Sequence, residues 1–253
     1  MESAPILQLR GISKSFGAVQ ALSNVDFEVF PAEVVALVGD NGAGKSTLVK
    51  TIAGINIADS GEIWFEGKHV TIHGPREPAA LGIATVYQDL ALCDNLDVVA
   101  NLYLGREEVQ PPVPLLSEER MEHRAREVLT GLDVKIPSVR SIVAALSGGQ
   151  RQSVAVARSV MWKAKVVMLD EPTAALGVQQ TKQVLELVLR LRNQGLGVIL
   201  ISHNLANVFE VADRIIVLRL GRRVGTFDRR SMSEQAVVAA ITGAEFGKFK
   251  PDA

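Results

Sequence analysis

The 253-residue chain is 47% hydrophobic and 22% charged, which excludes a disordered or low-complexity polypeptide. Its 27 Lys and Arg against 28 Asp and Glu leave a net charge of -1, which argues against a general nucleic-acid clamp. The one cysteine, Cys93, excludes an internal disulfide framework or a cysteine-cluster metal site, and reads as a small buried hydrophobe. The start MESAPILQLRGISKSF lacks the long apolar run of a signal peptide. Runs such as VVALV fall far short of the roughly 18 residues that span a bilayer, so a soluble, cytosolic chain is expected.

In chain order, residues 6–38 read as strands. Val25, Phe27 and Val29 alternate with polar neighbours, Pro31 breaks the run, and Val34–Val38 is continuously apolar, as in a strand buried on both faces. A glycine-rich turn and a helix through about Ala53 follow. GEIWFEGKHVTI predicts a hairpin with Gly67-Lys68 at its turn, and Ile83–Tyr87 another strand. Over 89–164 strand signals give way to helical spacing. Met121, Ala125, Val128 and Leu129 share one helix face, with Ser117 placed to cap it. The segment from Gln110 to Pro114 reads as a stiff connector with little ability to join a sheet or helix. Apolar strands return at Val166–Leu169, Gly197–Ile201 and Arg214–Leu218, separated by helical patterns, which predicts parallel strands with helical crossovers. From Thr226 a small helix and a tail are expected. The fold class is α/β, with a helical subdomain inserted into the core.

Gly39-Asp40-Asn41-Gly42-Ala43-Gly44-Lys45-Ser46 fits the P-loop pattern, with a buried strand before it and a helix after it. Glycines let the backbone turn tightly enough to aim successive N–H groups at phosphate oxygens, and the helix N-terminus adds its dipole. Lys45 is placed for the β- and γ-phosphates and Ser46 for Mg²⁺, while Thr47 can donate to a phosphate. Further on, the apolar strand 166–169 ends in Asp170 and Glu171. Ligands of open α/β sheets collect at the carboxyl ends of strands, so both acids are expected near the phosphates. Asp170 suits the Mg²⁺ shell and Glu171 the polarisation of an attacking water. His203 follows the strand GVILIS at the same edge, favouring a γ-phosphate contact, whereas His69, His73 and His123 read as surface or loop residues.

Between the P-loop and the acidic strand stands Leu146-Ser147-Gly148-Gly149-Gln150, followed by Arg151. Ser147-Gly148-Gly149 offers a hydroxyl and bare N–H groups at a helix start, a second anion-binding end. With the P-loop, Asp170-Glu171 and His203 in this order, nearly the whole chain resembles an ABC-type ATPase domain. The resemblance implies a P-loop NTPase (RecA-like) core over 1–88 and 165–225 with an N-terminal antiparallel β subdomain. It also implies a helical subdomain over 89–164, with a short helix and tail over 226–253. It implies ATP and Mg²⁺ as ligands, and two domains packed head to tail, with Ser147, Gly148, Gly149 and Gln150 closing over the partner chain's ATP. By the same resemblance Gln88 senses Mg²⁺ and the γ-phosphate, and Phe16 stacks on adenine, a core Phe being the alternative. One position departs from the family. Its usual Ser-Ala-Leu-Asp loop reads Ala174-Ala175-Leu176-Gly177 here, which puts communication between the two sites in doubt.

KSFGAVQAL, AALGV and ISHNLANVFEVADRIIVLRLGRRVGTF look like bacterial carbohydrate importers of the ribose, xylose and fructose type. This implies a homodimer on two membrane permeases at the cytoplasmic face of the inner membrane, with an extracytoplasmic solute-binding protein and no nucleic acid. The alternatives are a transporter for a nucleoside or other small solute, an exporter, and a non-transport ABC ATPase. Arg219–Arg230 is basic but flanked by Glu210, Asp213 and Asp228, which favours a solvated hairpin.

Overall fold

The computed structural model describes residues 4–110, 112, 115–229 and 233–244. β1 (Leu7–Phe16) and β2 (Val19–Val29) form a hairpin, and β3 (Val34–Val38) leads through the glycine-rich turn into α1 (Lys45–Ile52). β4 (Ser60–Phe65) and β5 (Lys68–Val70) form a second hairpin, and α2 (Arg76–Leu81) precedes β6 (Ile83–Val86). Next come α3 (Val98–Tyr103), the short strands β7 (Val109–Gln110) and β8 (Leu115–Leu116), α4 (Glu118–Gly131) and α5 (Gly148–Val160). β9 (Val166–Asp170), α6 (Val178–Asn193), β10 (Gly197–Ile201) and α7 (Leu205–Val211) follow, then β11 (Arg214–Arg219), β12 (Arg222–Asp228) and α8 (Glu234–Thr242).

The antiparallel sheet has the order β2-β1-β4-β5 and the main sheet β12-β11-β3-β10-β9-β6. From β11 to β6 all neighbours are parallel, and β12 adds an antiparallel edge. The strand period of two splits β3 between two cores. Val35 and Leu37 join the apolar cluster that holds Leu9, Phe27, Leu48 and Ile52. Val34, Ala36 and Val38 join the one that holds Val154, Leu187 and Val208. The main sheet is therefore covered by the antiparallel sheet and α1 on one face, and by α5, α6 and α7 on the other. Burial on both faces explains why its strands read as unbroken apolar runs.

Several local expectations need correction. The proline run does not exclude strand pairing: Gln110 itself pairs with Leu115, and Val109 with Leu116, on either side of it. Ser117 occupies the N-cap of α4, yet its side chain makes no capping bond. The first turn instead carries Glu118 and Glu119, which suit the positive end of the helix dipole. The second hairpin turns at Glu66-Gly67, and Lys68 already belongs to β5. His69 sits in that strand rather than in a loop, and is exposed as expected, its ring edge-on to Trp64 at 5.5 Å. Cys93 is only half-buried. β12 carries strand structure to Asp228, past the expected start of the helical end at Thr226. Among the described residues no helix is long and apolar enough to cross a membrane.

Candidate active site

Parallel register brings four strand ends to one edge. Leu37 of β3 lies opposite Ile201 of β10, Ile201 opposite Asp170 of β9, and Leu169 opposite Val86 of β6. The residues that leave these ends are Gly39, His203, Glu171 and Gln88, from β3, β10, β9 and β6 in turn. Residues scattered over more than 160 positions thus meet along one line because crossover helices keep the strands parallel.

The P-loop is held from outside itself. Gly39 has φ +150, and a side chain there would place its Cβ 2.2 Å from the Leu218 carbonyl oxygen of β11. Gly221 N donates to Ala43 O at 3.0 Å, and Ser23 N to Gly221 O at 2.8 Å, so the β11–β12 turn bridges the loop to β2. Lys45 Nζ donates to Gly39 O at 2.8 Å and to Asp40 O at 3.0 Å, folding its cation back over the turn. A cavity of about 500 Å³ is lined by Asn41 to Thr47 on one side, and by Val19, Gln20, Ala21, Leu220 and Gly221 on the other. These last five belong to no phosphate-binding motif. They reach the loop only because the two sheets stack, and periodicity does not report that.

The acidic end is a small network. Glu171 Oε2 lies 2.8 Å from His203 Nδ1 and accepts the His203 backbone N–H at 3.4 Å. Glu171 has φ 51, and its N–H donates to Ile201 O at 3.0 Å, which ties the turn after β9 to β10. Its side chain is mostly buried, whereas the His203 ring is 73% exposed. Burial pushes the Asp170 carboxyl above its ordinary value, and the adjacent Glu171 adds to this, while Lys45 and Lys50 pull it back.

That direction makes a prediction. An Asp with a raised folded pKa ionises more readily in the unfolded chain, so stability falls as pH rises above the ordinary value of 3.8. Without ligand at pH 7, Asp170→Asn is expected to melt above the parent, with the gap closing below that value. Thermal melts across this pH range check it; an Asn variant that melts lower at pH 7 would contradict the assignment.

The remaining expected residues lie apart from this edge. Phe16 is 49% exposed beside the β1–β2 turn, outside both core clusters, with Lys14 Nζ 5.6 Å from its ring centroid. This corrects the core-Phe alternative. Ser147 caps α5: its Oγ accepts the Gln150 N–H at 3.3 Å and Gln150 Oε1 accepts the Ser147 N–H at 3.0 Å, a reciprocal capping box. Ser147 and Gln150 line a different cavity, with Lys135, Gln183 and Arg190 among its walls, and not the P-loop cavity of their own chain.

A glycine-rich loop between a parallel strand and a helix, with carboxylates at the same sheet edge two strands away, defines a P-loop nucleotide-binding protein. The family model described as "ABC transporter" matches residues 22–174. The fructose import ATP-binding protein of Rhizobium meliloti is 46% identical over 97% of this chain and 96% of its own length. The xylose/arabinose import ATP-binding protein of Sulfolobus acidocaldarius is 44% identical over 96% of each. A ribose import ATP-binding protein of Yersinia pestis is 39% identical, and this chain spans 47% of it. Among solved structures, a nucleotide-free ATP-binding cassette from an ABC transporter superposes with a TM-score of 0.81, at 27% identity over 98% of this chain and all of that one. A cassette in its ADP conformation gives 0.80 at 27% identity, over 95% of this chain and 96% of that one. The chain belongs to the ABC transporter family, as a nucleotide-binding ATPase cassette.

Proposed function

We propose that this chain is the ATP-hydrolysing subunit of a monosaccharide importer, driving two separate membrane permeases by ATP-dependent closure of two cassettes. The near full-length match to fructose and xylose/arabinose import ATP-binding proteins carries the reading. In it the cassette pair sits on the cytoplasmic face of the membrane, and an extracytoplasmic binding protein delivers the sugar. The domains are the P-loop core over 1–88 and 165–225, the helical subdomain over 89–164, and the terminal segment 226–253.

The P-loop residues Gly39 to Thr47 cradle the triphosphate, and Lys45 leaves its two carbonyl partners to meet it. Phe16 is exposed for a base to stack on. Glu171 orients the attacking water, and His203, already bonded to it, holds that carboxylate in place and reaches the γ-phosphate. Mg²⁺ fits the donors at this edge: the Ser46 hydroxyl, the Gln88 carboxamide and the Asp170 carboxylate are hard oxygen ligands, and Asp170 lies where burial leaves its negative charge undercompensated. When bound, Mg²⁺ would neutralise charge on the phosphate oxygens. Ser147, Gly148, Gly149 and Gln150 cap the nucleotide of a second copy, which fits their place away from their own P-loop cavity.

Ser147→Arg separates these roles. The variant chain is expected to bind ATP with parental affinity and to lose ATP-induced dimerisation, read by light scattering in a Glu171→Gln background. A dimer of parental stability would remove the signature from the interface. The importer reading is tested by purifying tagged chain from detergent-solubilised native membranes and identifying what accompanies it. A polytopic permease supports transport, whereas recovery of soluble partners alone overturns it.

A further inference from the structure

We infer that Arg158, near the far end of the signature helix α5, is a positioning residue for hydrolysis that fixes the loop carrying Gln88. Its guanidinium donates from Nη1 to Ala91 O at 2.7 Å and from Nη2 to Leu90 O at 3.0 Å. Those two carbonyls belong to consecutive left-handed residues, Leu90 at φ 57 and Ala91 at φ 46. Neither is glycine, so each position is strained and persists only where its surroundings impose it. The strain starts beside Gln88. Leu90 N donates to Tyr87 O at 3.0 Å, closing a turn that contains Gln88, and Ala91 N donates to Asp89 O at 2.7 Å in an overlapping turn just after it. Gln88 is itself exposed, so the hold on its loop comes from the segment after it.

Arg158 is half-buried, and among the described residues no carboxylate pairs with it. Burial pushes its guanidinium below its ordinary range. Even partial burial of a cation without a paired carboxylate is costly, and its compensation here is the planar fork that satisfies two adjacent carbonyls. A lysine offers one point charge and cannot span both in the same way. Ser147 caps the helix that carries Arg158, and the ten helical rises from Gly148 to Arg158 span about 15 Å of rigid rod. Movement of the signature end is thereby tied to the loop that presents Gln88. The same guanidinium lines a groove of about 310 Å³ with Tyr87, Leu102, Leu104 and Trp162, so whatever fills that groove lies against the tether as well.

The inference rests on the ATPase reading for its kinetic consequence, and its structural part is measured without turnover. In the full nucleotide-free chain, Arg158→Ala is expected to speed amide hydrogen exchange at residues 90–92 by about tenfold, leaving β9 and α1 at parental rates. With Mg²⁺ and ATP the same variant is expected to lose about tenfold in kcat at an unchanged KM for ATP, as for an interaction needed only at the transition state. Arg158→Lys, which keeps charge and most of the stem, is expected to recover part of both effects. Parental exchange at residues 90–92 would overturn the tether. A uniform rise in exchange across the chain, or a kcat loss matched by weaker ATP binding, would reduce Arg158 to a packing residue. Should the parent hydrolyse no ATP, the ATPase reading fails and the exchange data still decide the tether.

Discussion

Glu171→Gln is expected to bind ATP with parental affinity and to lose turnover by at least about a hundredfold, the usual range for removing a general base. The substitution keeps shape and hydrogen-bonding reach while removing the negative charge of the proposed general base. Structurally it is mild. The backbone N–H of Glu171 keeps its bond to Ile201 O, and the amide oxygen can still accept from His203. Stability and nucleotide binding are therefore expected to survive, and trapped ATP should accumulate the closed pair. Single-turnover hydrolysis beside equilibrium binding distinguishes the outcomes. Turnover at the parental rate would move the water-activating role away from Glu171. Loss of binding together with turnover would show instead that the carboxylate supports the local fold through His203.

Gly39→Ala carries the largest expected cost to the fold. The Cβ would stand 2.2 Å from the Leu218 carbonyl oxygen and 3.0 Å from the Ala43 Cβ, at a backbone φ of +150. The obstacle is the backbone of β11, in a sheet packed on both faces, so no flexible side chain can swing aside. Over-packing with backbone strain is expected to cost about 3 kcal/mol, or roughly 6–12 °C in Tm for a chain of this size. Any relief has to open the loop away from β11, so ATP affinity should fall with stability. Gly131→Ala serves as the contrast: its φ is not positive and its Cβ would meet nothing within 4 Å. It should be neutral or slightly stabilising. Parental melting and ATP binding by Gly39→Ala would mean that β11 does not clamp the loop.

The departure at Gly177 is structurally open. Gly177 stands at the N-cap of α6 with φ -71, and a Cβ there would meet nothing within 4 Å, so the backbone admits a side chain at this position.

The amino-acid sequence by itself determined the fold class, the P-loop, the acidic pair after β9 and the signature turn. Each is written in neighbouring residues: an unbroken apolar run marks a strand buried on both faces, and glycine spacing marks a backbone built around phosphate. What failed to read locally depends on neighbours distant in the chain. The capping role of Ser117 went unused because its bond was only one way to satisfy the end of α4. Val109 and Leu116 paired across the proline run although neither side carries a strand pattern of its own. Only the tertiary structure set Val19, Leu220 and Gly221 against the P-loop, bonded Glu171 to His203, and laid Arg158 on the strained carbonyls beside Gln88. Periodicity records which face of an element is buried. Which other element covers that face is decided by sheet order and stacking, and those join residues with no common signal along the chain.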